Sequence, residues 1–128
     1  MKKILILDTN FLLIPYQFKI DIFSKLYDLM NEGYDIILPS GVKSELEKIA
    51  SGKGRHALGG RLALKIIEKN SGSITIVKSE GSVDDWILDF AKQKRAIVCT
   101  NDKELRMRSK KDDLRVITMN SKARIDLI

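Results

Sequence analysis

Short apolar runs recur along the chain at Ile4 to Leu7, Asp35 to Leu38, Ser73 to Val77, Arg95 to Cys99 and Arg115 to Thr118. Several are unbroken and rich in β-branched residues, the pattern of strands covered on both faces. Helical segments lie between them, over residues 19–32, 40–50, 57–70, 83–94 and 102–110, closed by turn signals such as Asn31-Glu32-Gly33 and Asn70-Ser71-Gly72. This alternation predicts an α/β fold, a three-layer α/β/α sandwich around a mostly parallel five-stranded sheet. The 128 residues suit a single domain, residues 1–128. Ser51-Gly52-Lys53-Gly54, with Gly59-Gly60 just after, splits what could otherwise be one long helix. A mobile lip and a plain inter-helix turn are both open there, and the turn is favoured because Gly and Ser so often punctuate elements.

Four carboxylates fall where such a chain leaves a strand or enters a helix. Asp8 follows the first strand, at the carboxyl edge where open α/β sheets bind ligands, although an Asp there can also cap a turn. Glu45 sits on the second main helix. Counting about 100° per residue from Val42, it borders the stripe of Val42, Leu46 and Ile49, whereas Glu47 points to water. Ser82 reads as an N-cap, which places Asp85 third in the helix to close a capping box. Asp84 instead lies about 100° from Val83, toward the inner face of Val83, Trp86, Ile87, Phe90 and Ala91, so Asp84 is assigned to the site with Asp85 as the alternative. In Thr100-Asn101-Asp102-Lys103-Glu104, Asn101 reads as the N-cap with Glu104 three residues on, leaving Asp102 in the first turn to reach a ligand or the helix dipole. Ionised carboxylates crowded together repel, so four on one edge are stable only if protons or a hard cation such as Mg²⁺ or Mn²⁺ neutralise them.

Charge sharpens this picture. The 23 Lys+Arg exceed the 17 Asp+Glu by 6. Residues 92–128 hold 11 basic and 5 acidic residues, whereas residues 1–91 hold 12 of each. A basic tail segment beside an acidic pocket suits a polyanionic substrate, and a solvated Lys-rich surface accounts for it equally well. Lys103, Arg106, Arg108, Lys110 and Lys111, on or after the helix near Asp102, are the candidate phosphate contacts. Aromatic residues make up 6% of the chain and are not grouped, against a single-strand binder built on base stacking. Cys99 is the sole cysteine, so neither an internal disulfide nor a thiolate zinc site is expected, and the chain reads as cytoplasmic. Asp8 interrupts Ile4-Leu5-Ile6-Leu7 far short of a signal core or membrane span, so no membrane association is expected. His56, the only histidine, lies in Gly54-Arg55-His56 with no evident base beside it and reads as surface.

These residues together resemble the PIN-domain nucleases over essentially the full chain. The likeness rests on Leu7-Asp8-Thr9-Asn10, on Glu45, on Asp84 with Ile87 and Ala91 trailing, and on Thr100-Asn101-Asp102. Asp8-Thr9-Asn10-Phe11-Leu12-Leu13 with Tyr16-Gln17-Phe18, and Cys99 to Arg106, look most like archaeal proteins akin to the rRNA-processing endonuclease of the small-subunit processome; VapC toxins look more distant. The resemblance implies a metal-dependent endoribonuclease whose Asp8, Asp84 and Asp102 hold one or two Mg²⁺ or Mn²⁺ ions. Glu45 would bind metal or order water, with Asn10 and Thr100 orienting the ligands. In-line attack of water would leave a 5′-phosphate and a 3′-hydroxyl. The resemblance leaves open a homodimer, an antitoxin or a ribosome-assembly partner, and a catalytically silent RNA-binding scaffold. Other acidic-pocket α/β folds fit less well. A receiver domain needs an Asp ending the third strand, where Ile76-Val77-Lys78-Ser79 has none, and a haloacid-dehalogenase-type phosphatase needs an Asp where Asn10 stands. Neither glycine-rich nucleotide motif is present.

Overall fold

The computed structural model describes residues 2–128. In chain order the elements are β1 (Lys3–Leu7), α1 (Thr9–Leu12), α2 (Ile14–Phe18), α3 (Ile22–Leu29), β2 (Tyr34–Pro39), α4 (Ser40–Ala50) and α5 (Arg55–Lys69). After a 3-10 turn at Ser71–Ser73 come β3 (Ile74–Val77), α6 (Val83–Lys94), β4 (Ile97–Cys99), α7 (Lys103–Lys111), β5 (Val116–Met119) and β6 (Ile125–Leu127). The sheet order is β3-β2-β1-β4-β5-β6. The first five strands are parallel and β6 runs antiparallel to β5.

The central strands are apolar because they are covered on both faces. Leu5, Ile6 and Leu7 of β1 and Val98 and Cys99 of β4 are fully buried, with Leu5 in register with both Ile36 and Ile97. The chain runs from β1 through β2 to β3, then back past β1 to β4 and β5; with the right-handed crossovers that parallel strands adopt, this reversal puts the connecting helices on opposite faces of the sheet. On the second face α6 packs on β1 and β4, and α7 packs on α6 and β5. The expected three-layer, mostly parallel architecture is therefore the observed one.

Two local expectations need correction. The sheet has six strands, not five: β6 is only three residues long and pairs with β5 through a turn in which Asn120 Oδ1 accepts from the N–H groups of Lys122 and Arg124. The expected helix over 19–32 shrinks to α3, capped by Asp21, which accepts from Ser24 N–H. Ahead of it, the buried run Phe11-Leu12-Leu13-Ile14 forms α1 and α2, with Pro15 in the first turn of α2, where a missing N–H does no harm. Gly59 and Gly60 lie inside α5, as the expected helix over 57–70 has them, and residues 51–54 form the favoured inter-helix turn. A Cβ on Gly60 would stand 2.8 Å from Ile49 Cγ2 and 3.0 Å from Ala50 N, so the bare glycine lets α5 press against α4. The intervening turn is fastened by Arg61, which donates to the carbonyls of Ala50 and Gly52.

Candidate active site

The strand order reverses between β1 and β4, and ligands of open α/β sheets bind outside the strand ends at such a point. Asp8 emerges there from β1, its N–H donating to Cys99 O at 3.0 Å. Its side chain is 3% exposed, and its Oδ2 accepts the Thr100 hydroxyl at 2.7 Å. Burial pushes the Asp8 carboxyl up to about 6 against the opposing Thr100 hydrogen bond, and the charges of Asp84 and Glu45 push the same way.

Glu45 is delivered by α4. Its Oε1 accepts the Thr9 hydroxyl at 2.5 Å, so the residue after Asp8 fixes the second acid. The first turn of α4 is anchored on the end of β3: Gly41 N–H donates to Ser79 Oγ at 2.8 Å, and Ser79 N–H donates to Ser40 Oγ at 2.8 Å. A Cβ on Gly41 would lie 2.9 Å from Ser79 Oγ and 3.0 Å from Val83 Cγ2, so only glycine lets α4 begin this close to the start of α6. That contact sets the first turn of α4, the helix of Glu45, against the start of α6, the helix of Asp84.

Asp84 and Asp85 part company in the first turn of α6. Asp84 is half-buried; burial raises its carboxyl pKa, as do the charges of Asp102, Glu45 and Glu104, while Arg108 lowers it. Ser82 caps the helix as expected, accepting from Asp85 N–H. The Asp85 carboxylate, however, does not complete the capping box in the expected way; it pairs with Arg108 Nη2 at 2.6 Å.

Asp102 departs from its expected place. It is the N-cap of α7, with Oδ2 accepting from Leu105 N–H at 3.1 Å, and Asn101 precedes the cap. Asp is as good an N-cap as Asn, so sequence does not decide between adjacent candidates. One carboxylate oxygen of Asp102 thus serves the helix. Glu104, freed from the capping role assigned to it, joins the acidic group around Asp84.

The orienting contacts come from Thr100 and Thr9; Asn10 is exposed. Thr9 was missed, although its place directly after Asp8 was a usable signal. The basic residues of α7 divide. Lys103 is in the first turn beside Asp102, Arg106 leans on Thr118 of β5, and Arg108 is held by Asp85. Lys110 and Lys111 stand at the other end of the helix, roughly 10–12 Å along its axis from Lys103.

The acids form one electrostatic neighbourhood but not a ready chelate. Among the described residues, no three His, Cys, Asp or Glu side chains stand close enough to hold an ion together. The three-carboxylate chelate expected from the sequence is therefore not preassembled. The donor chemistry nevertheless fits a hard divalent cation: all the groups are carboxylates, Asp8 is buried, and mutual repulsion raises the proton affinity of both Asp8 and Asp84.

A mostly parallel sheet with acids gathered at its switch point defines an α/β domain whose carboxylates lie at the edge where such folds bind ligands. The chain belongs to the PIN-like domain family, whose model, described as "PIN like domain", matches residues 5–122. It is 30% identical to Ribonuclease VapC4 of Methanocaldococcus jannaschii over 119 residues, 90% of this chain and 88% of the relative. Ribonuclease VapC9 of Archaeoglobus fulgidus is 32% identical over 107 residues, 82% of this chain and 74% of the relative. Among solved structures, the PIN domain endonuclease Utp24 superposes with a TM-score of 0.76 at 26% identity, covering 96% of this chain and 90% of that one.

Proposed function

We propose that this protein, a single domain over residues 1–128, is a divalent-metal-dependent endoribonuclease that hydrolyses RNA phosphodiester bonds during ribosomal or other RNA processing in the cytoplasm. The observation that carries the reading is the electrostatic coupling of the acids: the charges of Asp84 and Glu45 raise Asp8, and those of Asp102 and Glu45 raise Asp84. Support comes also from relatives named ribonuclease and from the Utp24 endonuclease fold.

Asp8, Asp84 and Asp102 would hold one or two Mg²⁺ or Mn²⁺ ions. When bound, such an ion supplies the positive charge that offsets the crowded carboxylates and stabilises the charge built up on phosphate during in-line attack by water. Thr100 fixes the orientation of the Asp8 carboxylate. Thr9 fixes Glu45, which orders the attacking water. Lys103, Arg106, Lys110 and Lys111 position the RNA backbone without reading its bases, and Arg108 joins them while anchored on Asp85. Cleavage would leave a 5′-phosphate and a 3′-hydroxyl.

Incubating the pure protein with end-labelled RNA and Mn²⁺ should give discrete internal cuts that EDTA stops, and Asp8→Asn should give none. Undiminished cutting by Asp8→Asn would falsify the assignment. A toxin role is favoured by one specific observation, the name VapC carried by both archaeal relatives. It predicts growth arrest on expression, relieved by a small antitoxin encoded beside the gene; expression without any growth defect would count for RNA processing.

A further inference from the structure

Between α2 and the start of α5 lies a cleft of about 650 Å³, within the range of small-molecule sites. Its floor is Leu13 and Gly59, both buried, with half-buried Tyr16. A Cβ on Gly59 would stand 3.5 Å from Tyr16 Cδ2 and 3.6 Å from Leu13 Cδ2, so the bare glycine leaves that space open. The rim carries Lys19, just past the end of α2, with Arg55 and His56 from the first turn of α5, all exposed. No carboxylate lines the cleft. Among the described residues, neither Lys19 nor Arg55 takes part in an ion pair, so two unneutralised cations border one cavity.

The cleft lies at the same end of the sheet as the acids. After Lys19, α3 carries the chain to Gly33, whose carbonyl accepts from Lys3 N–H at the amino end of β1, so Lys19 stands toward the carboxyl end where Asp8 emerges. In the same way α5 returns the chain to the amino end of β3, which is parallel to β2, so its first turn with Arg55 and His56 lies toward the carboxyl end. β1 separates β2 and β3 from β4 and β5. α7 packs on β5, whereas α5 packs on α2 and on α4, the helix of Glu45. The acids therefore lie between α7 and the cleft.

We infer that this cleft is a subsite for a nucleotide of the RNA strand beyond the scissile phosphate, on the side away from α7; the inference rests on the nuclease reading. Lys19 and Arg55 hold a backbone phosphate, His56 hydrogen-bonds to it, and the sugar and base lie over Leu13, Tyr16 and Gly59. A strand held on both sides of the acids is cut internally. RNA is favoured over an acidic peptide because the cleft continues the line from α7 across the acids, and a backbone phosphate recurs at every nucleotide along that line.

The test measures Kd against salt for a fluorescent single-stranded RNA that the protein cuts, by anisotropy in EDTA. It compares wild type, Lys19→Ala/Arg55→Ala and the charge-matched control Lys65→Ala/Lys69→Ala, whose exposed residues lie lower on α5, Lys69 being roughly 20 Å along the axis from Arg55. The first pair should lower the slope of log Kd against log salt by about 1.4, the value for two phosphate contacts on a single strand, and the control should leave it unchanged. Shortening the RNA to the cut on one side should abolish the effect of Lys19→Ala/Arg55→Ala; shortening it on the other side should abolish that of Lys110→Ala/Lys111→Ala instead. A wild-type slope in Lys19→Ala/Arg55→Ala, an equal fall in the control, or loss of both effects on the same truncation would overturn the subsite and leave the nuclease reading standing. So would unchanged RNA binding by Lys19→Ala/Arg55→Ala together with lost binding of a poly-glutamate peptide, which would give the cleft to an acidic protein. A wild-type protein that neither binds nor cuts RNA would overturn both.

Discussion

The Thr100 hydroxyl donates to Asp8 Oδ2 at 2.7 Å and accepts from Asp102 N–H at 3.0 Å, so one side chain at the end of β4 ties together two acids that lie 94 residues apart in sequence. Thr100 is fully buried. Its replacement by Val keeps the shape and deletes both bonds, leaving a buried carboxylate short of a donor. A hydrogen bond to a charged group contributes roughly 1.5–3 kcal/mol, so Thr100→Val should lose about that much stability at neutral pH. Less should be lost in acid, where Asp8 is protonated. Cleavage should fall about 10- to 100-fold, as for other outer partners of metal ligands. Urea titrations at two pH values and single-turnover rates would check both statements; equal stability of the two proteins at neutral pH would contradict the first.

Asp8 gives the metal-free protein a pH dependence whose sign is fixed by its shift. The folded carboxyl titrates near 6 and the unfolded one near 3.8, so the native state binds the proton more tightly. Its stabilising contribution is full below the unfolded value and is lost as pH rises through the folded one. At slightly alkaline pH this removes about 3 kcal/mol. In EDTA, Asp8→Asn should therefore be the more stable protein above about pH 7 and nearly equal to wild type near pH 4. Added Mn²⁺ should raise the Tm of the wild type much more than that of the variant. A stability difference independent of pH would show that Asp8 is not under this strain.

Asp8 itself was legible in the sequence because an unbroken apolar strand ending in an acid needs nothing but the strand to place it. Helical phase likewise separated Asp84 from Asp85, since α6 is long enough for a buried face to be counted. The elements that escaped are short: α1 and α2 of four and five residues, and β6 of three, lack the length for a period to emerge. Thr9 to Glu45 and Asp85 to Arg108 join residues 36 and 23 positions apart. Such contacts depend on how helices meet, which no local pattern records. The choice between Asn101 and Asp102 as cap turned on a single residue of boundary, the least determined quantity in sequence reading.

The double duty of Asp102 can be separated by two substitutions. Asn caps a helix as well as Asp, so Asp102→Asn should keep α7 intact, whereas Asp102→Ala should lose roughly 1 kcal/mol of stability. Both remove the negative charge and should reduce Mn²⁺-dependent cleavage equally. If Asp102→Asn retained wild-type cleavage, the carboxylate would be a cap alone.

Lys110 and Lys111, far along α7 from the acids, should affect binding more than chemistry. Replacing both with Ala should weaken RNA binding across sequences and reduce the slope of log Kd against log salt by about 1.4, the value for two phosphate contacts on a single strand. kcat should hold. An unchanged slope would remove the pair from the RNA path.

Gly41 and Gly60 both sit at close approaches, yet only one of them bears on the acids. A Cβ on Gly60 meets Ile49 and the Ala50 backbone, forcing α5 from α4 at a distance from the sheet edge. A Cβ on Gly41 meets Ser79 Oγ and Val83, prising the start of α4 from the start of α6 and so Glu45 from Asp84. Overpacking of this kind costs about 1–3 kcal/mol, and both Gly→Ala variants should lose stability on that scale. Gly60→Ala should keep its kcat at temperatures where it is fully folded, because Thr9 still holds Glu45. Gly41→Ala should lose kcat even when circular dichroism shows it fully folded, since reactive groups displaced by about 1 Å can cost 100-fold in rate. Equal kcat in the two folded variants would mean that the α4–α6 contact serves the fold alone.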